Sequence, residues 1–193
     1  MDDEFDTGKI ITRKSIPIAE DDSRERLYKK LYNLAGALAV EILPELADVA
    51  FATRQPEILT EIYAKRLNRS NGFVPWSAVN KAMGGVKIVG DDFDGTTNNL
   101  WAQVIDYLIG QRKQKESQMF FVSLIERAVR AFYGFPGLWT RIETSNKKQG
   151  TRKTRMKLLE AHVEGERLVL DKVQIEGKEI STFNEAKSGL KLD

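Results

Sequence analysis

The densest charge in the chain is the run Lys147 to Lys157, KKQGTRKTRMK, where Lys147, Lys148, Arg152, Lys153, Arg155 and Lys157 stand without an intervening acid. Cations packed this closely attract phosphates, with strong salt dependence and little sequence discrimination. A solvated hairpin tip would carry the same run, so charge alone marks an anion-binding loop without naming its ligand. Arg127 and Arg130, ahead of a Gly-Phe-Pro-Gly turn, are a second basic pair, with plain helix-surface solvation as the alternative. Asp6-Thr7-Gly8 is an ordinary turn tripeptide taken by itself. His162 is the sole histidine and there is no cysteine, which leaves neither imidazole clusters nor thiolates to hold a metal. It reads as a strand histidine. Asp91, Asp92 and Asp94, in GDDFDGTTNN, lack the terminal glutamate of a calcium loop and read as solvated. No serine or cysteine nucleophile arrangement and no Gly-rich phosphate cradle is present.

The elements that must position these residues belong to a chain of 193 residues, enough for one large domain or two small ones. No run approaches the roughly 18 apolar residues of a spanning helix. The acidic start MDDEFD has no apolar stretch of the kind a secretory signal needs. Lack of cysteine fits a reducing cytoplasm. The formal net charge is only +2, so any anion site is local.

Lys9 to Ile18 reads as a strand closed by Pro17. With Asp21, Asp22 and Ser23 as capping candidates, Leu27, Leu31, Leu34, Leu38, Ile42 and Leu46 predict a helix from about Ser23 to Asp48, with Pro44 ending or kinking it. Further helices are expected around Ala78 to Met83, over Leu100 to Ile109 and over Phe120 to Phe132. A short strand is expected at Val86 to Val89. After Pro136 the period changes to two, and Leu138 to Glu143, Arg155 to Val163, Arg167 to Val173 and Lys178 to Ile180 read as strands. Gly165 turns between two of them, and a closing helix spans Thr182 to Lys187 with Ser181 as cap. Such a pattern suggests a short-stranded barrel entered by a helix. Trp76, Trp101, Trp139 and the Phe132-Tyr133-Phe135 cluster read as packing rather than as a platform for bases.

Three stretches occur in an order that resembles the methionyl-tRNA formyltransferases. FDTGKIITRKSIPIAEDDSRERLYKKLYNLAGALAVEILPEL (Phe5 to Leu46) is similar to the end of their catalytic domain. YAKRLNRSNGFVPWS (Tyr63 to Ser77) is similar to the segment joining their two domains. RAFYGFPGLWT with RLVLDKVQIEGKEISTFNEA is similar to their C-terminal domain. The resemblance implies an α+β chain. A remnant strand and helix of a Rossmann-like catalytic domain occupy 1–50 and a linker 51–77. An OB-like barrel domain with helices fills 78–193, interrupted by an insertion at 84–118.

The implied reaction transfers formyl from 10-formyltetrahydrofolate, without a metal, to the amino group of initiator methionyl-tRNA. Asp6 is the catalytic residue carried over. It would work with an asparagine and a histidine that precede Met1 in the family's order, so the chain is expected to be truncated and inactive alone, with a missing N-terminal half on another chain as its partner. The tRNA would lie on Lys147, Lys148, Arg152, Lys153 and Arg155, with Arg127 and Arg130 in support. The expected location is cytoplasmic. A non-catalytic RNA-binding module and a fragment of a sugar-nucleotide formyltransferase are the alternatives. The apolar stripe of the first helix, cut from its sheet, would need a covering partner.

Overall fold

The computed structural model describes residues 10–45, 66–93, 100–112, 117–146 and 150–189. The chain divides into two compact units, Met1–Arg66 and Leu67–Asp193.

The first unit is built on helix α1, Arg24–Ile42. Ser23 is its N-cap, the hydroxyl accepting from the Arg26 N–H at 3.2 Å. Asp22 does different work. Its carboxylate accepts from Lys30 Nζ at 2.7 and 2.8 Å and from the Ala19 N–H at 2.8 Å, tying the approach of the chain to the second turn of the helix. The helix was expected to reach Asp48. It tightens instead into a 3-10 turn, Leu43–Glu45, where the Pro44 ring lacks an N–H and crowds the preceding turn; residues 46–48 lie outside the described residues. The expected strand over Lys9 to Ile18 does not form among the described residues, beyond a single bridge position at Ile10. A strand needs a neighbour for its N–H and C=O groups, and the described part of this unit contains no other strand. None of the α1 residues is buried, and Tyr28, Leu31, Tyr32 and Val40 are exposed.

In the second unit helices α2 (Trp76–Gly84), α3 (Leu100–Arg112) and α4 (Gln118–Ala131) precede a sheet of β1 (Leu138–Asn146), β2 (Gly150–Glu164), β3 (Arg167–Ile175) and β4 (Ile180–Thr182), and α5 (Phe183–Gly189) closes the chain. The strands are antiparallel in the order β1-β2-β3-β4. Period two sets the inner face: Leu138, Thr140 and Ile142, Met156 and Leu158, Leu168, Leu170, Val173 and Ile175 are all buried. The most amphipathic helix, α4, lays Phe121, Val122, Ile125 and Val129 on that face beside Ala78, Val79 and Ala82 of α2. The sheet is open among the described residues, with β4 as one edge. At the other edge the Val74 N–H donates to the Trp139 carbonyl at 2.9 Å, adding a one-residue parallel bridge beside β1.

Two expectations need correction. Val86 to Val89 is not a strand; the Ile88 N–H is taken by Gln118 Oε1 at 3.0 Å, and Gly90–Phe93 winds into a 3-10 turn. The cap of α5 is Thr182 rather than Ser181. Its hydroxyl accepts from the Glu185 N–H at 3.3 Å, while the Glu185 carboxylate accepts from the Thr182 N–H at 2.9 Å. The segment expected as an insertion contributes to the core itself. Phe93 stacks on Trp101 and Phe121 with centroids 5.0 and 5.7 Å apart, and Ile88, Trp101 and Ile105 are buried with it.

Candidate nucleic-acid interface

The outer face of β1 and β2 follows from the inner one. With Leu138, Thr140 and Ile142 turned inward, Trp139, Arg141 and Glu143 point outward; with Met156 and Leu158 inward, Lys153, Arg155 and Lys157 point outward. The antiparallel register sets Trp139 opposite Lys157, Arg141 opposite Arg155, and Glu143 opposite Lys153.

Trp139 is the floor of this face. Its indole Nε1–H donates to the Arg69 carbonyl at 2.8 Å, and its ring packs on Phe73 at 4.8 Å. It is 9% exposed despite lying on the outer side. The covering comes from two guanidinium groups: Arg155 Cζ lies 4.3 Å and Arg141 Cζ 5.6 Å from the ring centroid. Beside Arg155 a cavity of about 280 Å³ is lined by Lys157, Gln174, Glu176 and Gly177. The Glu176 carboxylate accepts from the Arg155 backbone N–H at 3.4 Å.

The other predicted residues are dispersed. Arg152 lies exposed on β2, and Lys153 makes only a loose pair with Glu143 at 3.8 Å, both side chains in solvent. Lys147, Lys148 and Asp6 lie outside the described residues. Arg130 is half-buried and forked onto Glu126, with Nη2 donating to Oε2 at 2.9 Å, so much of its charge is spent within α4. Arg127 is exposed between two cavities of about 220 and 290 Å³ bounded by α3 and α4, one lined by Leu100, Val104 and Phe132. The two arginines of α4 thus differ in setting, Arg127 exposed and Arg130 held by Glu126.

His162 lies on β2 with Nδ1 2.9 Å from Asp171 Oδ2, and this hydrogen bond raises the imidazole pKa above its ordinary value. Asp92, expected in a solvated loop, is bound. Burial pushes its carboxyl up, but the Lys81 ammonium at 2.6 Å and the Val89 N–H at 3.0 Å outweigh that and hold it below the usual carboxylate range. Asp94 lies outside the described residues. No three potential metal ligands cluster among the described residues, and no helix among them is long and apolar enough to cross a membrane. Trp101 is core, as expected, and Trp139 is buried on the outer side of the sheet, but Tyr133 and Phe135 are 53% and 48% exposed rather than packed.

Sequence reasoning passed over Arg141. It stands alone in LWTRIET, outside any basic run. Its signal is the alternation of β1, which puts it on the same face as Trp139.

No family model matches the chain. Three curated methionyl-tRNA formyltransferases match a part of it. The enzyme of Dictyoglomus turgidum is 31% identical over 77 residues, 40% of this chain and 24% of that enzyme. The enzyme of Caldanaerobacter subterraneus subsp. tengcongensis is 30% identical over 78 residues, 40% of this chain and 25% of the enzyme. The enzyme of Nitrosospira multiformis is 34% identical over 76 residues, 39% of this chain and 24% of the enzyme. The chain carries a formyltransferase-like region. It matches about a quarter of the length of these curated methionyl-tRNA formyltransferases.

Proposed function

We propose that this chain is a tRNA-holding part of a methionyl-tRNA formyltransferase, acting in translation initiation in the cytoplasm. The observation that carries the reading is the outer face of β1 and β2. There Arg141, Lys153, Arg155 and Lys157 converge with one acidic side chain, Glu143, among them. Such a face suits a polyanion, and the relatives carry methionyl-tRNA in their name. Lys147 and Lys148 prolong the same basic run in sequence. Arg152 adds to it, Arg127 stands apart on α4, and Arg130 is the weakest member because Glu126 already holds it.

In this reading residues 1–50 are the C-terminal remnant of the catalytic domain, 51–77 the linker, and 78–193 an OB-like domain to which Phe73 and Val74 add an edge. The reaction would place the formyl group of 10-formyltetrahydrofolate on the amino group of initiator methionyl-tRNA, with Asp6 in the proton-handling role. The apolar cavity against α3 and α4 does not suit the folate. The cavity against α3 and α4 offers Leu100, Trp101, Val104 and Leu124 with one guanidinium, not the array of donors and acceptors a pterin needs. The sole histidine, His162, is engaged by Asp171. In this reading the chain holds tRNA, and the formyl donor binds outside its described residues.

Two assays on the purified chain separate these parts. Binding of initiator methionyl-tRNA without formyl transfer from 10-formyltetrahydrofolate is the expected pair of results. Turnover near that of a full-length enzyme would overturn the division of labour, and absence of tRNA binding at low salt would overturn the binding reading.

A further inference from the structure

We propose that Arg141 and Arg155 form a two-pronged clip for a single phosphate of an RNA backbone, with Trp139 as its rigid seat; the proposal rests on the RNA-binding reading above.

The two guanidiniums carry an unrelieved repulsion. Arg141 and Arg155 are direct cross-strand partners, a relation that brings Cβ atoms to about 5 Å and makes like charges destabilising. Elsewhere the same sheet sets acid opposite base, with Glu143 facing Lys153 and Glu160 facing Lys172. Neither guanidinium of the Arg141–Arg155 pair has an ion-pair partner among the described residues. Of the nearby carboxylates, Glu143 pairs loosely with Lys153 at 3.8 Å and Glu176 accepts from the Arg155 backbone N–H at 3.4 Å. An anion bound between the two cations would turn this repulsion into attraction.

The two guanidiniums are also pre-organised. Both guanidiniums lie against one indole, at 4.3 and 5.6 Å from its centroid. A guanidinium set against a ring by cation–π attraction keeps its N–H groups, which lie in its own plane, directed past the ring. The indole is fixed by its hydrogen bond to the Arg69 carbonyl and by Phe73. The entropy of ordering two long side chains is thus partly spent before any ligand arrives. Phosphate oxygens match such forks bidentately, which lysine ammoniums do not. The adjoining cavity of about 280 Å³, bordered by Lys157 and Gln174, gives room for the sugar attached to the held phosphate.

The test uses the full chain with initiator tRNA, titrated against salt, in the variants Arg141→Gln, Arg155→Gln, the double variant, Arg141→Lys and the control Lys187→Gln. Each single glutamine variant is expected to weaken binding about tenfold, the scale of one charge-assisted hydrogen bond, and to lower the salt slope by about one. Because both prongs hold one phosphate, the double variant should lose little more than either single one. Arg141→Lys should fail to restore affinity, and Lys187→Gln should change nothing. Inorganic phosphate should shift the Trp139 indole N–H resonance in the parent chain and not in Arg141→Gln, a readout that also reports whether that variant is folded.

A salt slope unchanged in Arg141→Gln while Lys153→Gln lowers it would overturn the clip and leave RNA binding standing. Fully additive losses in the double variant would overturn the sharing of one phosphate. A phosphate-induced indole shift in a chain that binds no RNA would overturn the RNA assignment and leave a site for free phosphate.

Discussion

Gly72 and Gly137 meet backbone against backbone. A Cβ added to Gly72 would overlap the Gly137 carbonyl oxygen and stand 3.0 Å from its carbon. Gly137 holds φ +73°, a left-handed conformation that glycine adopts without strain. Their contact presses the turn at Arg69–Gly72 onto the start of β1, where the Arg69 carbonyl receives the Trp139 indole and the Val74 N–H reaches the Trp139 carbonyl. The seat of the basic face is therefore fixed from a segment some seventy positions earlier in the chain.

Gly72→Ala should for this reason destabilise the second unit by about 2–4 kcal/mol, since neither backbone can yield without losing those hydrogen bonds. Urea denaturation followed by tryptophan fluorescence checks it. An unchanged midpoint would show that the two segments are not in contact.

Thr140→Val should act in the opposite direction. Thr140 is fully buried on β1 and its Oγ1 finds no hydrogen-bond partner among the described residues. Replacing that hydroxyl by a methyl of similar shape removes an unmet desolvation cost, with an expected gain of about 1 kcal/mol. A lower urea midpoint in the variant would mean that the hydroxyl is satisfied in solution.

The His162–Asp171 pair gives a pH dependence with a definite sign. Asp171 favours the protonated imidazole, so the folded pKa lies above the ordinary 6.5. Its contribution to stability is full below the unfolded pKa and is lost as pH rises through the folded one. Both side chains are half in solvent, at 55% and 40% exposure, so the effect on stability is small. An NMR titration of the His162 ring should give a midpoint above 6.5 that falls in Asp171→Asn. Equal midpoints in the two proteins would contradict the pairing.

How much of this was legible in the sequence depends on whether the signal was local. The stripe of α4 and the period-two strands after Pro136 stood out because one buried face repeats at a fixed interval. The reach of α1 was overestimated, since its leucines keep helical spacing through Pro44, whose missing N–H decides otherwise. Val86 to Val89 looked like a strand by residue type, yet a strand is a pairing and Gln118 took the Ile88 N–H instead. The basic run marked the β2 side of the outer face, while Arg141, alone in β1, was visible only through register. That Arg130 would be held by Glu126 was open to inspection, because the two are four apart on one helix.

The most direct test of the central claim is equilibrium binding of initiator tRNA to the purified chain across a salt series. It should be repeated with Arg141, Lys153, Arg155 and Lys157 reversed to glutamate. The account predicts binding whose logarithm falls linearly with the logarithm of salt concentration, and loss of that binding in the reversed variant. Binding that survives the reversal, or a parent chain that holds no tRNA at low salt, would contradict it.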